Sequence, residues 1–331
     1  MSSLITPGFH HLSFVSADAE KTTQFYRDLL GLHPLFSSGP GAASEDSALW
    51  FGDEKGRPGS LIHFHLRPGG KRGGWGVGGI HHLALAVEDE AVQLMWKRRL
   101  QDAGVSVSGP YDRGYFHSIY FSDPDGHILE IATQGPGYDL DEPMDRLGET
   151  FARPAPQRLR GNRDEKAIRQ QTHPDPVPEV TPEMALQGIH HVTGITDDLE
   201  GAHDFYTEAL GLRLVKKTVN QDDGETHHHF WANYEGTRVA QGSSYTLFGW
   251  PGSRHRAREG VGQTHHMAFR ARNLDELESW ADRIHSLGVS TSRTTEAEPF
   301  PAIRFNAPDG MLVEIAVEDS VPSPTETSSD A

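Results

Sequence analysis

Two glutamates stand where a charged side chain is expensive. Glu130 lies within Ile128-Leu129-Glu130-Ile131-Ala132, and Glu314 within Leu312-Val313-Glu314-Ile315-Ala316. A carboxylate buried in such a strand needs a positive partner, although alternation also allows it to face solvent. Each glutamate follows a histidine by 48 residues, His82 and His266. These histidines close the pairs His81-His82 and His265-His266, and two more pairs, His10-His11 and His190-His191, complete a set of four. The chain has no cysteine, which excludes disulfides, zinc–thiolate sites, iron–sulfur clusters and thiol nucleophiles. Any metal must therefore be held by imidazole and carboxylate. Two imidazoles and one carboxylate on a concave surface leave coordination positions open, as non-haem Fe(II) oxygen chemistry requires. Mn(II) and Zn(II) are the alternative ions. Strand neighbours point to opposite faces, so one histidine of each pair is expected in the cup and the other in a different role. A lone His-His pair is commonly structural; four pairs, each opening a repeated strand, point to metal chemistry.

The elements that would position these residues form a repeat. Gly8-Phe9-His10-His11 recurs as Gly188-Ile189-His190-His191, Phe25-Tyr26 as Phe205-Tyr206, and Leu30-Gly31-Leu32 as Leu210-Gly211-Leu212. Further along, Ile80-His81-His82 matches Thr264-His265-His266, and the two glutamate strands match each other. Each half is itself double, giving four units that open near residues 8, 79, 187 and 263. Every unit reads as a strand, a helix ended by glycine (Gly31, Gly104, Gly211, Gly288), then further strands. In the first, Asp18 is placed to cap a helix carrying Thr22, Phe25, Tyr26, Leu29 and Leu30 on one face. This order predicts an α+β fold in which four units pair into two cupped sheets. The expected organisation is residues 1–140 as the N-terminal pair of units, 141–186 as a proline-rich extended linker or strap, 187–320 as the C-terminal pair, and 321–331 as a disordered tail. Other histidines carry a weaker signal. Thr226-His227-His228-His229 reads as structural before substrate-lining, and His63 and His65 alternate on one side of Leu61 to Leu66, where they could line a pocket.

Composition narrows the function. At 331 residues the chain can bury two ordinary cores. Acidic residues outnumber basic ones 47 to 30, for a net charge of −17, which disfavours nucleic acid and anionic membranes as partners. No apolar run approaches the roughly 18 residues of a membrane span, and Met1 to Pro7 has no signal-peptide pattern. A cytoplasmic protein is expected, and a homo-oligomer is compatible with the sequence.

Longer motifs carry a resemblance. Gly188-Ile189-His190-His191-Val192-Thr193, the run from Leu210 to Asn220 and Trp250-Pro251-Gly252 resemble the N-terminal signature of the hydroquinone- and catechol-cleaving dioxygenases of the vicinal oxygen chelate superfamily. Asp112 to Phe121, followed by Glu130 and Gly135-Pro136-Gly137-Tyr138, is similar to their C-terminal signature. The resemblance covers nearly the whole chain and implies four βαβββ modules, with the two halves in swapped order. It implies metal ligands His191, His82 and Glu130, surrounded by His81, His190, Thr193, Arg113 and Tyr120. The remaining set, His11, His266 and Glu314, has Ala297 and Arg304 where Arg113 and Tyr120 would correspond. Pairing of adjacent units would instead group His11 with His82 and Glu130, and His191 with His266 and Glu314. The implied activity is Fe(II)-dependent opening of an aromatic ring by O2, with a small phenol as substrate. A glyoxalase-like isomerase is disfavoured, since Leu61 to Leu66 and Ser244 to Phe248 hold no Asp or Glu; a non-catalytic binding protein leaves the ligand sets unexplained.

Overall fold

In the computed structural model of the chain, the residues described are 4–38, 48–235, 238–294 and 299–318. The expected tail at 321–331 and Ala297 lie outside them. The first unit comprises β1 (Phe9–Ser16), α1 (Ala19–Thr23), β2 (His33–Ser38), β3 (Ala48–Gly52) and β4 (Leu61–Leu66). The second holds β5 (Ile80–Val87), α2 (Glu90–Asp102), β6 (Ser108–Asp112), β7 (His117–Ser122) and β8 (Ile128–Thr133). A short helix, α3 (Glu165–Gln170), lies between the halves. The third unit has β9 (Ile189–Thr196), α4 (Leu199–Leu210), β10 (Arg213–Asn220), β11 (Asp223–Ala232), the small hairpin β12 (Tyr234–Glu235) and β13 (Arg238–Val239), and β14 (Ser244–Gly249). The fourth has β15 (Thr264–Ala271), α5 (Leu274–Ser286), β16 (Ser292–Arg293), β17 (Ala302–Asn306) and β18 (Leu312–Val317).

The helices begin and end by the same chemistry in every unit. Asp18, Asp89, Asp198 and Asn273 each accept a backbone N–H of the first turn, satisfying donors that have no partner within the helix. Gly31, Gly104, Gly211 and Gly288 follow the helices with φ between +70° and +80°, a conformation open to glycine at little cost. The first helix departs from the regular α-helix expected. Past Thr23 it widens into a π-helical turn, Gln24–Leu29, with the Leu30 N–H donating to the Phe25 carbonyl at 3.0 Å. Phe25 and Tyr26 remain buried, and the Tyr26 hydroxyl donates to Asp123 at 3.1 Å.

Two eight-stranded mixed sheets result, ordered β16-β17-β18-β15-β1-β4-β3-β2 and β10-β11-β14-β9-β5-β8-β7-β6. The first unit thus shares a sheet with the fourth across β1 and β15, and the third with the second across β9 and β5. Adjacent-unit grouping of the ligands is not what forms. Alternation divides the faces of each sheet. Leu83, Leu85, Leu129 and Ile131 belong to the large core shared with the helices, whereas Ala84 and Ala132 pack in a separate cluster on the other, concave face.

Between the halves, the chain from Glu142 to Arg160 bonds to the third unit, with Lys216 donating to Glu142 and the Ala152 N–H to the Lys217 carbonyl, and from Ile168 to Met184 it lies against α2 of the second. Proline-rich backbone has few ladder partners for its carbonyls, and cationic side chains of α2 supply the missing donors. Buried Lys97 donates to the carbonyls of Gly109, Ile168, Arg169 and Gln171 at 2.6 to 3.2 Å. Arg99 reaches Val177 and Pro178, and the Trp96 indole N–H reaches Met184.

Candidate metal centre

The concave face of the second sheet collects His82 from β5, His191 from β9 and Glu130 from β8. Their ligand atoms lie within 4.8 Å of one another and all three residues are buried. Glu130 is fully buried; its Oε1 accepts a short hydrogen bond from the Ser118 hydroxyl. Its Oε2 is buried without a hydrogen-bond partner, yet lies 3.0 Å from His82 Nε2 and 3.4 Å from His191 Nε2. The two nitrogens are 3.4 Å apart. Burial acts to raise the Glu130 carboxyl, but the adjacent His191 and His82 imidazoles prevail and hold it well below the usual range. Ligands bound about 2.1 Å from one ion at octahedral or tetrahedral angles stand about 3.0–3.4 Å apart. The donor set, its spacing and the orphaned carboxylate oxygen therefore fit a divalent transition metal.

The leading histidine of each pair has a clear role. The β5–β9 ladder slips between Ile80 and His82, and this bulge lets the two imidazoles of a pair meet edge to edge. Nδ1 of His81 lies 2.8 Å from Nδ1 of His82, and Nδ1 of His190 lies 2.8 Å from Nδ1 of His191. A ligand that offers Nε2 to a metal carries its proton on Nδ1, so the leading histidine accepts it and fixes ring and tautomer. Burial lowers His81 and His190 to about 3, leaving them neutral and able to accept. His10-His11 and His265-His266 repeat the contact at 2.9 and 2.8 Å.

Beside the triad is a cavity of about 310 Å³, within the usual range of small-molecule sites. Its wall is aromatic (Tyr111, Tyr115, Phe116, Tyr120, Phe230, Phe248) and includes His81, His82, His191 and Arg113. Tyr120 pairs directly with Glu130 across β7 and β8. The Arg113 guanidinium sits 5.2 Å from the Tyr120 ring centre and 5.0 Å from that of Tyr111. Burial raises the Tyr120 hydroxyl above its usual range despite the opposing charge of Arg113, so it remains a donor. Thr193 lies behind the wall, its Oγ1 2.9 Å from His82 Nε2. His190 opens instead onto a second cleft, formed with Tyr138, Pro136 and Ser244.

Several residues of the site carry little signal in the sequence. Ser118 stands two places before Tyr120, so alternation alone puts both on the Glu130 face. Asp222 accepts from Arg113 at 3.0 Å and from the strap residue Arg163 at 2.5 Å, and Arg163 covers the Tyr111 ring at 4.1 Å. Such long-range pairings have no local pattern. His228, in the run read as structural, lines the cavity.

The other cup brings together His11, His266 and Glu314. His11 Nε2 is 3.0 Å from His266 Nε2, but the glutamate stands back, 3.8 Å from His11 and 3.6 Å from His266. Arg304 pairs with Glu314 in the ladder and donates from Nε at 2.6 Å. Trp50 stacks on His63 at 4.2 Å, and Phe300 packs against both Trp50 and His11. His65 lies 4.2 Å from His265 and forms with His265 and His266 a further candidate group.

The model of the glyoxalase/bleomycin resistance protein/dioxygenase superfamily matches residues 8–131 and 188–315. The chain belongs to this superfamily. Both halves of the vicinal oxygen chelate fold are thus accounted for, each match spanning two units. Among curated proteins the chain is similar to MhqA of Bacillus subtilis (strain 168), provisionally named a ring-cleaving dioxygenase, with 26% identity over 94% of this chain and 87% of that one. It also resembles the chlorohydroquinone/hydroquinone 1,2-dioxygenase of Sphingobium indicum, 28% identical over 41% of each chain. A solved Bacillus subtilis structure, provisionally described as a dioxygenase, shares the fold with a TM-score of 0.73 at 23% identity, over 98% of this chain and 88% of that one. No helix among the described residues is long and apolar enough to cross a membrane.

Proposed function

We propose that the protein is an Fe(II)-dependent ring-cleaving dioxygenase acting on a hydroquinone or catechol-like phenol, with His82, Glu130 and His191 as metal ligands. The observation that carries this reading is the adjoining of a two-histidine, one-carboxylate triad to a small aromatic-walled cavity with an Arg–Tyr pair on its wall. The names of the relatives support the reaction class. When bound, the metal supplies a meeting point for the phenol oxygen and O2 and a path for electrons between them.

The remaining work falls to the chain. Phe116, Phe230 and Phe248 exclude water and pack the faces of the ring. Arg113 and Tyr120 hold the anionic oxygen that develops as the phenol loses its proton and the ring is attacked. His81 and His190 keep the ligand rings in register. Asp222 and Arg163 steady Arg113, so its guanidinium is aimed before substrate arrives. Both atoms of O2 enter the product as one ring carbon–carbon bond breaks. The strand β14, Ser244–Gly249, offers no carboxylate, which speaks against the isomerase alternative with a ligand from each module. If the halves are swapped relative to the ring-cleaving relatives, the second and third units here correspond to their last and first, and the same two modules build the centre.

The test is anaerobic reconstitution with Fe(II), then oxygen uptake against a panel of hydroquinones and catechols. One O2 consumed per ring opened is expected. Tight metal binding with no uptake on any phenol would falsify the reading.

A further inference from the structure

The leading histidines of the two cups stand in opposite surroundings. In the second-and-third-unit cup, His81 is flanked by two aromatic rings, Trp75 at 5.3 Å and Phe248 at 5.2 Å. The duplicated positions differ in chemistry. Gly76-Val77-Gly78 recurs as Gly260-Val261-Gly262, so Glu259 stands where Trp75 does. Val15 pairs with His65 in the parallel ladder as Ile195 pairs with Phe248, so His65 stands where Phe248 does. His265, the counterpart of His81, therefore meets an imidazole and a carboxylate. Its ring centre is 4.2 Å from that of His65, and its Nε2 is 3.9 Å from Glu259 Oε1. Ligand-type atoms of His65, His265 and His266 lie within 4.8 Å of one another. Nε2 of His65 is buried without a hydrogen-bond partner. Burial lowers that ring to about 3, which leaves it a neutral imidazole at neutral pH.

The geometry points to a second metal site, at the rim of the first-and-fourth-unit cup, in which His65, His265 and Glu259 hold a Zn(II) ion. The hydrogen bonds behind His265 turn the right nitrogen toward it. With Arg304 on Glu314, the centre of this cup has its cation already, and His266 donates from Nε2 to His11 Nε2 at 3.0 Å. Nδ1 of His266 then accepts from Nδ1 of His265 at 2.8 Å. A neutral imidazole donates at one nitrogen and accepts at the other, so the lone pair of His265 falls on Nε2, which faces Glu259. In the other cup the order is reversed: His81 accepts at Nδ1 from ligand His82 and keeps its proton on Nε2, among aromatic rings. The same histidine pair serves an inner ion in one cup and an outer ion in the other.

Glu259 is within reach of the ion because its present partner holds it loosely. It pairs with Arg67 at 2.6 Å, and both side chains are about half exposed; a water-facing pair of this kind contributes little. Imidazole and carboxylate suit Zn(II). Fe(II) lies lower in the Irving–Williams order and is retained where a buried carboxylate without a cationic partner joins the imidazoles, at Glu130, so a chain loaded with Fe(II) alone carries one ion. The rim ion would join β4 of the first unit to β15 of the fourth across β1.

The experiment is calorimetric titration of the metal-free full-length chain with Zn(II), with near-ultraviolet circular dichroism to check the fold of each variant. Wild type should bind two equivalents, one per cup, and His65→Phe, which copies the aromatic cup, should bind one. Glu259→Gln, on the water-facing rim, should stay folded and hold the second ion on the order of ten- to a hundredfold more weakly. Glu314→Gln should keep both equivalents. Zinc binding that is identical in wild type, His65→Phe and Glu259→Gln overturns the proposal, whatever its stoichiometry. So does loss of the second ion in Glu314→Gln, which would place it at the centre of the cup. A single wild-type equivalent that disappears in His65→Phe would uphold the rim site and count instead against the ligands assigned in the other cup.

Discussion

The two cups are duplicates in backbone and opposites in charge chemistry. Both gather two Nε2 atoms and a glutamate at the centre of an eight-stranded sheet. In the second-and-third-unit cup, the strand beside the glutamate presents Ser118 and Tyr120; in the first-and-fourth-unit cup the same register positions are Ala302 and Arg304. Ser118 orients Glu130 through a hydrogen bond, and neither it nor Tyr120 brings a positive charge. Arg304 brings a fixed positive charge to 2.6 Å from Glu314 and meets the carboxylate's need for a cation from within the chain. Trp50 and Phe300 then occupy space that in the other cup is cavity wall. On this account two differences on one strand, Ala302 for Ser118 and Arg304 for Tyr120, separate the cups, while the histidine pairs are common to both.

The largest effect should come from the glutamates. Glu130→Gln should take turnover below detection and abolish metal retention while leaving the fold intact, since it removes the only anionic ligand from an otherwise satisfied site. Glu314→Gln should do the reverse: oxygen uptake is preserved, and the thermal midpoint drops because Arg304 loses its carboxylate partner. Parallel metal analysis, oxygen electrode traces and melting curves check both.

How much of this contrast was legible in the sequence depends on range. The four units, the cap at Asp18, the glycine stops and the ligand-type residues are local or periodic patterns, and each lies where the spacing puts it. The partnering of units is a long-range choice between two groupings that the repeat allows equally, and only the sheet order selects first with fourth and second with third. Arg304 could be aligned with Tyr120 from sequence, but its contact with Glu314 is visible only in three dimensions. A run of three histidines hides which one alternation turns inward, so His228 has no signal of its own in the sequence.

Next in size, Tyr120→Phe should lower kcat on the order of 10²-fold, the usual cost of one oriented donor, while bound metal is unchanged. Loss of metal in step with rate would make Tyr120 a packing residue like its neighbours.

A gain of function probes the other cup. Arg304→Tyr combined with Ala302→Ser should free Glu314 and allow a second equivalent of divalent metal, seen by equilibrium dialysis. An iron stoichiometry that stays at one would mean that Arg304 is not what keeps metal out.

The smallest effect is on acid stability. His10 and His65 in one cup and His81 and His190 in the other are lowered by burial to about 3 from an ordinary 6.5. Unfolded chains therefore bind more protons than folded ones between these values, so stability is fully present above pH 6.5 and lost as pH falls toward 3. Replacing His10 and His65 with glutamine should flatten the acid unfolding curve of the metal-free protein, followed by tryptophan fluorescence, without changing turnover at neutral pH. An unchanged curve would show that those rings are already protonated when folded.

The central claim, that one cup works and its duplicate does not, is tested most directly by a matched pair of variants, His191→Ala and His266→Ala, assayed for bound iron and oxygen uptake under one set of conditions. The account predicts that His191→Ala loses both and that His266→Ala keeps both. Turnover that survives in His191→Ala and stops in His266→Ala would contradict it.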